Sequence, residues 1–530
     1  MPEIGELAET DAVEQPAPAR RRGEGRRGRR AEAGAPAIQQ RPRQVRELLD
    51  RPTEPIDEEQ VRAIDDAAMR VLEDIGIEFL HDTALDHLRR AGCTIEPGGT
   101  NVRMDRAFVR EMVARAPSQF TIHARNPDHA VPVGGRYQSY VNVSSPPNCM
   151  DLDRGRRPGR REDFRDLLKL SQYFNCIHIL GGYPVEPVDL HAGVRHLHCL
   201  RDKLVLTDKV MHAYSLGTER VVDAMEMVRI AFGLTEEEFA ARPHMYTNIN
   251  SSSPLKHDWP MLDGAMRLAE RGQPVIITPF TLAGAMAPVT IAGAVVQQTA
   301  EALAAVALLE WIAPGAPVVM GTFTNNTDMR SGAPAFGTPE YVRATQMSGQ
   351  MARFYGLPMR ASNACAANIA DGQAVWESMN SIWACMTAGA NIVYHSAGWL
   401  EGGLCASYEK FVMDCEVLQQ IQAMQDPVDT SEAALAVDAI AEVGPNGHFF
   451  GAQHTQERYR DAFYGPFLSD WRNYEAWEAA GAVHTPERAN AIWKKILAEF
   501  EPPALDQSRL EELEAFVDRR VAEGGAPTDF

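Results

Sequence analysis

Cysteine is scarce and unpatterned: eight residues in 530, at positions 93, 149, 176, 199, 365, 385, 405 and 415, with no CxxC and no short-range pairing. That excludes a disulfide framework and a cysteine-rich metal module, and the thiols read as reduced, buried and cytoplasmic. Basic charge is also in deficit. Fifty-two Lys and Arg face 72 Asp and Glu, a net charge of −20, which argues against a nucleic-acid or anionic-membrane partner. No apolar signal segment follows Met1, and no apolar run reads as long enough to span a bilayer. No GxxxxGK[ST] occurs, and no glycine-rich phosphate loop follows the first expected strand. What is present is a chain 45% hydrophobic, long enough for one large domain with extensions or for two to three ordinary domains.

Residues 1–46 are poor in apolar side chains and include the run RRRGEGRRGRR, so a disordered Arg-rich tail is expected there. An N-terminal helical extension follows over 47–138. Its first helix places Val61, Ile64, Ala68, Val71, Leu72 and Ile75 on one face and stops at Gly76; two more fall at 81–91 and 106–116. From Ser139 the pattern alternates. Strands are expected at 139–143, 176–181, 205–213, 244–250, 274–279, 317–323, 358–363 and 391–395, with helices near 163–174, 188–201, 218–233, 258–272, 290–313, 338–356, 372–388 and 407–425. Eight βα units over 139–425 predict a (β/α)₈ TIM barrel, and a C-terminal helical segment takes up 426–530.

In such a barrel chemistry sits at the strand C-termini. Those ends carry Tyr140, Asn142, Tyr183, His212, Tyr214, Asn248, Asn250, Ser251, Thr278, Phe280, Phe323, Thr324, Asn363 and His395. A metal-dependent hydrolase would bring several His and Asp there, and a glycosidase two carboxylates. Here the mouth is aromatic, amide and hydroxyl, with carboxylates only on following loops, including Asp371 and Glu401. Aromatic faces attract a quaternary ammonium through the ring quadrupole, and a nearby carboxylate would balance its charge. Tyr140, Phe323 and Trp399 are the expected cage. His395, after the last strand, is a candidate to bond a polar end of a substrate or to orient Glu401; the alternative is a structural histidine. The set His191, His196, His198 and Cys199 is not expected to bind metal, because on a helix positions 196 and 198 point apart.

Seven segments then carry a resemblance: VLEDIGIEF, NINSSSPLKHD (248–258), PAFGTPE (334–340), DGQAVWES (371–378), YHSAGWLEGGL (394–404), GHFFGAQHTQERYR (447–460) and YEAWEAAG (474–481). With these the chain resembles the trimethylamine methyltransferase family of corrinoid-dependent enzymes, which includes glycine betaine methyltransferases. The resemblance implies a barrel that passes a methyl group from an amine to the Co(I) of a separate corrinoid protein, with no tightly bound cofactor of its own; a homo-oligomer is expected, its order not given by the sequence. It also implies roles for the Asp-x-Gln-Ala element, Asp371, Gln373 and Ala374 here. The family's trimethylamine enzymes of methanogens carry a pyrrolysine ahead of that element, and the position falls at about Ala364. Alanine offers no imine to capture a tertiary amine, which points to a quaternary amine, whose leaving group is already neutral. A barrel lyase or hydrolase using His395 as base, and a non-catalytic amine-binding barrel, stay open at this point.

Overall fold

Most of the longer helices start where a local side chain satisfies a free N–H group of the first turn. In the computed structural model, which describes residues 38–528, α1 (Glu58–Arg70) opens on a reciprocal cap between Asp57 and Gln60 and runs through a π-turn that ends at Gly76, φ 86°. α2 (Asp82–Arg90) and α3 (Arg106–Val113) follow, capped by His81 and Asp105. Between them the chain also forms a small sheet from Ile77–Phe79, Thr94–Ile95 and Asn101–Arg103, joined by Lys256–His257. These strands are too short for alternation to reveal them in sequence.

The central sheet has eight strands: β1 (Arg46–Glu47), β2 (Tyr137–Tyr140), β3 (Met211–His212), β4 (Met245–Ile249), β5 (Val275–Ile277), β6 (Val318–Gly321), β7 (Met359–Ser362) and β8 (Ile392–Tyr394). Their order is β1-β2-β8-β7-β6-β5-β4-β3. Every pair from β2 to β3 is parallel; only β1 is antiparallel, with Arg46 opposite Gln138. Ile179 makes single parallel bridges to Val141 and to Val210, next to the two outer parallel strands. The strand expected at 176–181 is therefore reduced to one bridging residue. A turn precedes it, where Ile177 donates to the Phe174 carbonyl, and beyond it Gly181 donates to the Asn142 side chain in place of a backbone ladder partner. Likewise the strand expected at 205–213 shrinks to β3, because the preceding helix runs on to Leu206.

The helices between strands are α4 (Arg161–Tyr173), α5 (Ala192–Leu206), α6 (Thr218–Phe232), α7 (Trp259–Glu270), α8 (Ile291–Ile312), α9 (Pro339–Phe354), α10 (Gly372–Ala388) and α11 (Tyr408–Met424). The result is a mixed α/β fold on a curled, mostly parallel sheet. Its inner face packs Val141, Ile179, Val210, Tyr246, Ile276, Val319, Ile392 and Tyr394 together, nearly all fully buried. α8 corrects one expectation: at 22 residues it is long and apolar enough, by length and composition, to cross a membrane. In the fold 78% of its apolar window is buried inside the protein, and its Glu301 accepts from Ser251, Ser253 and the Leu255 N–H.

The expected boundary at residue 46 also shifts. Arg41 and Arg46 both pair with Asp426, Arg41 N–H donates to Gln419, and Arg46–Glu47 is β1. Long arginine side chains reach anchors that composition cannot show. The rest of the expected tail, residues 1–37, lies outside the described residues.

Candidate active site

Side chains alternate along a strand, so inward parity carries from the buried layer to the C-terminal ends. Beyond Val210 comes His212; beyond Tyr246 come Asn248 and Asn250; beyond Val319 comes Phe323. These line a cavity of about 530 Å³ together with Ser144, Tyr214, Ser251, Phe280, Arg360, Tyr394, His395 and Trp399. Of the residues proposed from sequence, His395, Asn250, Phe323 and Trp399 are brought together here.

One wall is aromatic. Phe280 and Phe323 lie 5.1 Å apart between ring centres, Trp399 stands edge-on to Phe323 at 6.2 Å and 85°, and Phe336 stacks behind Phe323 at 5.7 Å. The glycine turn holds this wall in place. A Cβ at Gly403 (φ 99°) would sit 2.6 Å from the Trp399 ring, and one at Gly402 (φ 60°) 2.9 Å from the Phe336 ring. The opposite side is amide and hydroxyl: Thr278 Oγ1 donates to Asn248 at 2.7 Å, and Asn250 donates to the Thr278 carbonyl at 2.8 Å.

His395 occupies a left-handed backbone position, φ 54°, flanked across the mouth by Ser145 at 73° and Glu401 at 52°. Such conformations cost a non-glycine residue stability and concentrate at functional sites. Its Nδ1 accepts the Ser144 N–H at 3.2 Å, which leaves the proton on Nε2. Burial, and then the nearby Arg360 charge, hold its pKa well below the ordinary imidazole value. The ring is a neutral donor 4.0 Å from the Trp399 ring.

Four proposed residues are not at the cavity. Tyr140 has the opposite parity to inward-facing Val141; it stacks on His178 at 5.7 Å and donates to Gln138 at 2.9 Å. Glu401 turns away from the cavity, and its two carboxylate oxygens share the one Arg156 Nε–H at 2.8 and 3.0 Å. Asp371 caps α10 by accepting from the Ala374 N–H at 3.2 Å, and the exposed Gln373 donates to Glu377 at 2.8 Å. Among the described residues no carboxylate lines the cavity, so neither acid balances a cation there. Ala364 is fully buried, and its carbonyl accepts from Ser381. His196 pairs with Asp223 at 2.8 Å, and among the described residues no group of three His, Cys, Asp or Glu forms a metal set.

Arg360 was missed. It is 3% exposed, interrupts an otherwise uncharged strand, and shares parity with the inner face. That charge in the middle of an apolar strand was the available signal.

Comparisons with known proteins show the family to which the chain belongs by sequence. The family described as Trimethylamine methyltransferase (MTTB) matches residues 22–525. The glycine betaine methyltransferase of Desulfitobacterium hafniense (strain Y51) is 38% identical over 442 residues, 83% of this chain and 91% of that protein. The trimethylamine methyltransferase MttB of the same species (strain DSM 10664 / DCB-2) is 26% identical over 80% of this chain and 85% of its own length. The proline betaine:corrinoid methyltransferase of Eubacterium limosum is 28% identical over 71% and 79%.

Proposed function

The chain belongs to the trimethylamine methyltransferase family, and from that premise we propose that it moves a methyl group from a quaternary amine, of the glycine betaine type, to the Co(I) of a corrinoid carried by a partner protein. The aromatic wall of Phe280, Phe323 and Trp399, around a cavity that holds no carboxylate, carries this reading. We read the curled sheet, with its Ile179 bridges, as a (β/α)₈ barrel over 139–425, between an N-terminal extension and a C-terminal helical segment. Eight free cysteines, seven of them buried, support a reducing cytoplasmic setting.

The acceptor supplies the nucleophile; this chain orients the donor. The ammonium rests against the Phe323, Phe280 and Trp399 rings, each contact contributing about 0.5–2 kcal/mol. Holding one methyl in line for attack converts binding into rate through orientation. As the C–N bond breaks, its electron pair stays on nitrogen, and a neutral tertiary amine departs without a proton. No acid is required, in keeping with a neutral His395 and a cavity without carboxylates. His395 would donate from Nε2 to a polar part of the substrate. Service as a general base fits poorly, because Nδ1 is already engaged with Ser144 and Nε2 carries the proton.

The test mixes the purified chain with Co(I) cobalamin and a panel containing glycine betaine, proline betaine, carnitine, choline and trimethylamine. Methyl transfer from at least one quaternary amine is expected. Absence of transfer from every member, also with a corrinoid protein supplied, refutes the reading.

A further inference from the structure

The cavity contains an arginine that the proposed reaction has not used. Arg360 is 3% exposed on β7 and lines the same space as the aromatic wall. Its guanidinium has one protein acceptor, the Thr322 carbonyl at 3.0 Å from Nη1; Nε is buried without a partner, and Nη2 bonds nothing among the described residues. It forms no ion pair with any described carboxylate. The ionisable groups that face it are Tyr394, Tyr341, Cys385, Tyr246 and His395, all neutral at neutral pH. Two rings give partial compensation: Cζ lies 4.5 Å from the Tyr394 ring centre and 5.5 Å from that of Phe323. Buried arginines are normally paired, and an unpaired one is costly to the fold unless a ligand completes it.

Phe323 joins the two halves of the cavity. One ring serves both the Arg360 guanidinium, at 5.5 Å, and the cage edge at Trp399, at 6.2 Å. A ligand with its ammonium on the rings and an anionic group on Arg360 therefore spans only a few carbons. The charge balance points the same way. Glu301 stands behind the lining Ser251, but its oxygens already accept from Ser251, Ser253, Gln297 and the Leu255 N–H. A lining with a fixed positive charge and no carboxylate of its own disfavours a purely cationic amine relative to one that carries its own negative charge. Planar guanidinium matches a carboxylate in geometry as well as sign.

We propose that Arg360 is the receptor for the carboxylate of a zwitterionic substrate and so sets selectivity for betaines over cationic quaternary amines. This rests on the methyltransferase reading of the cavity but is tested separately from it. The probe is 3,3-dimethylbutyrate, which has the shape of glycine betaine with carbon in place of nitrogen and cannot donate a methyl group. Calorimetry compares it with its uncharged amide on the wild-type chain. The carboxylate is expected to bind at least about 30-fold more tightly than the amide, on the scale of a charge-assisted pair. That preference should collapse toward unity in R360Q and recover in part in R360K. In methyl transfer, wild type should favour glycine betaine over choline by about 100-fold in kcat/KM, and R360Q should erase most of that ratio. Equal binding of carboxylate and amide by wild type overturns the assignment, even if R360Q fails to fold. So does a folded R360Q that keeps the wild-type ratio. Arg360-dependent carboxylate binding without methyl transfer from any amine leaves the assignment standing and sinks the proposed reaction instead.

Discussion

At the scale of single residues, the site depends on conformations that ordinary side chains resist. Gly403 combines φ 99° with a ring 2.6 Å from where its Cβ would be. Gly403→Ala is expected to cost about 1–2 kcal/mol in backbone strain and to push Trp399 off the wall. Betaine binding should weaken at least tenfold in calorimetry while the far-UV spectrum is retained. His395→Ala should lower methyl transfer at least tenfold, about 1.4 kcal/mol. Its pH behaviour separates two roles. Burial depresses the folded pKa well below the ordinary 6.5, so the imidazole is neutral on both sides of that value. As pH falls through 6.5, the unfolded chain takes up this proton and the folded chain does not, so the residue's contribution is present above 6.5 and lost below it. The wild-type rate should therefore show no imidazole limb near 6.5 that His395→Ala removes. Loss of such a limb in the mutant would make His395 a proton carrier.

At the scale of elements, what sequence periodicity revealed and what it hid follow one rule. Helices α4 to α11 announced themselves because their apolar residues recur at helical spacing or run on over several turns, and six of the eight starts have an N-cap side chain that accepts a first-turn N–H. Short strands gave weaker signals. The stretch around Ile179 reads as a strand, yet a turn before it and a side-chain anchor after it leave it one ladder residue. Tyr140 was misassigned because being at a strand end does not tell which face a residue takes; parity against Val141 does. Asp371 reads as an acid near a mouth but serves as the cap of α10. Asp371→Ala should lower stability by about 1 kcal/mol and leave methyl transfer within about twofold, as measured by melting and by initial rate. At the N-terminus, a chain beginning at Glu47 should melt several degrees below one beginning at Gln40. The shorter chain lacks Arg41 and Arg46, which hold Asp426, and half of β1. Equal melting temperatures would return the boundary to residue 46.

At the scale of the whole molecule, the chain's membership of its family and the chemistry of the cavity narrow the donor together. Trimethylamine should be transferred at under about 1% of the glycine betaine rate, a difference of roughly 2.7 kcal/mol or more in activation. Ala364 is buried, with its carbonyl bonded to Ser381, and offers no electrophile to a tertiary amine. Comparable rates for the two amines would show that no covalent activation is needed. By itself the sequence determined the alternation of strands and helices, the family motifs, and the aromatic and amide character of the strand ends, because these are local properties of side-chain order. Only the tertiary structure decided which charges meet. It sent Glu401 outward to Arg156, 245 positions away in the chain, and closed Arg360 into the cavity with a backbone carbonyl as acceptor and no described carboxylate to pair with. Ion pairing depends on distance in space, which strand parity and chain reversal set and composition does not.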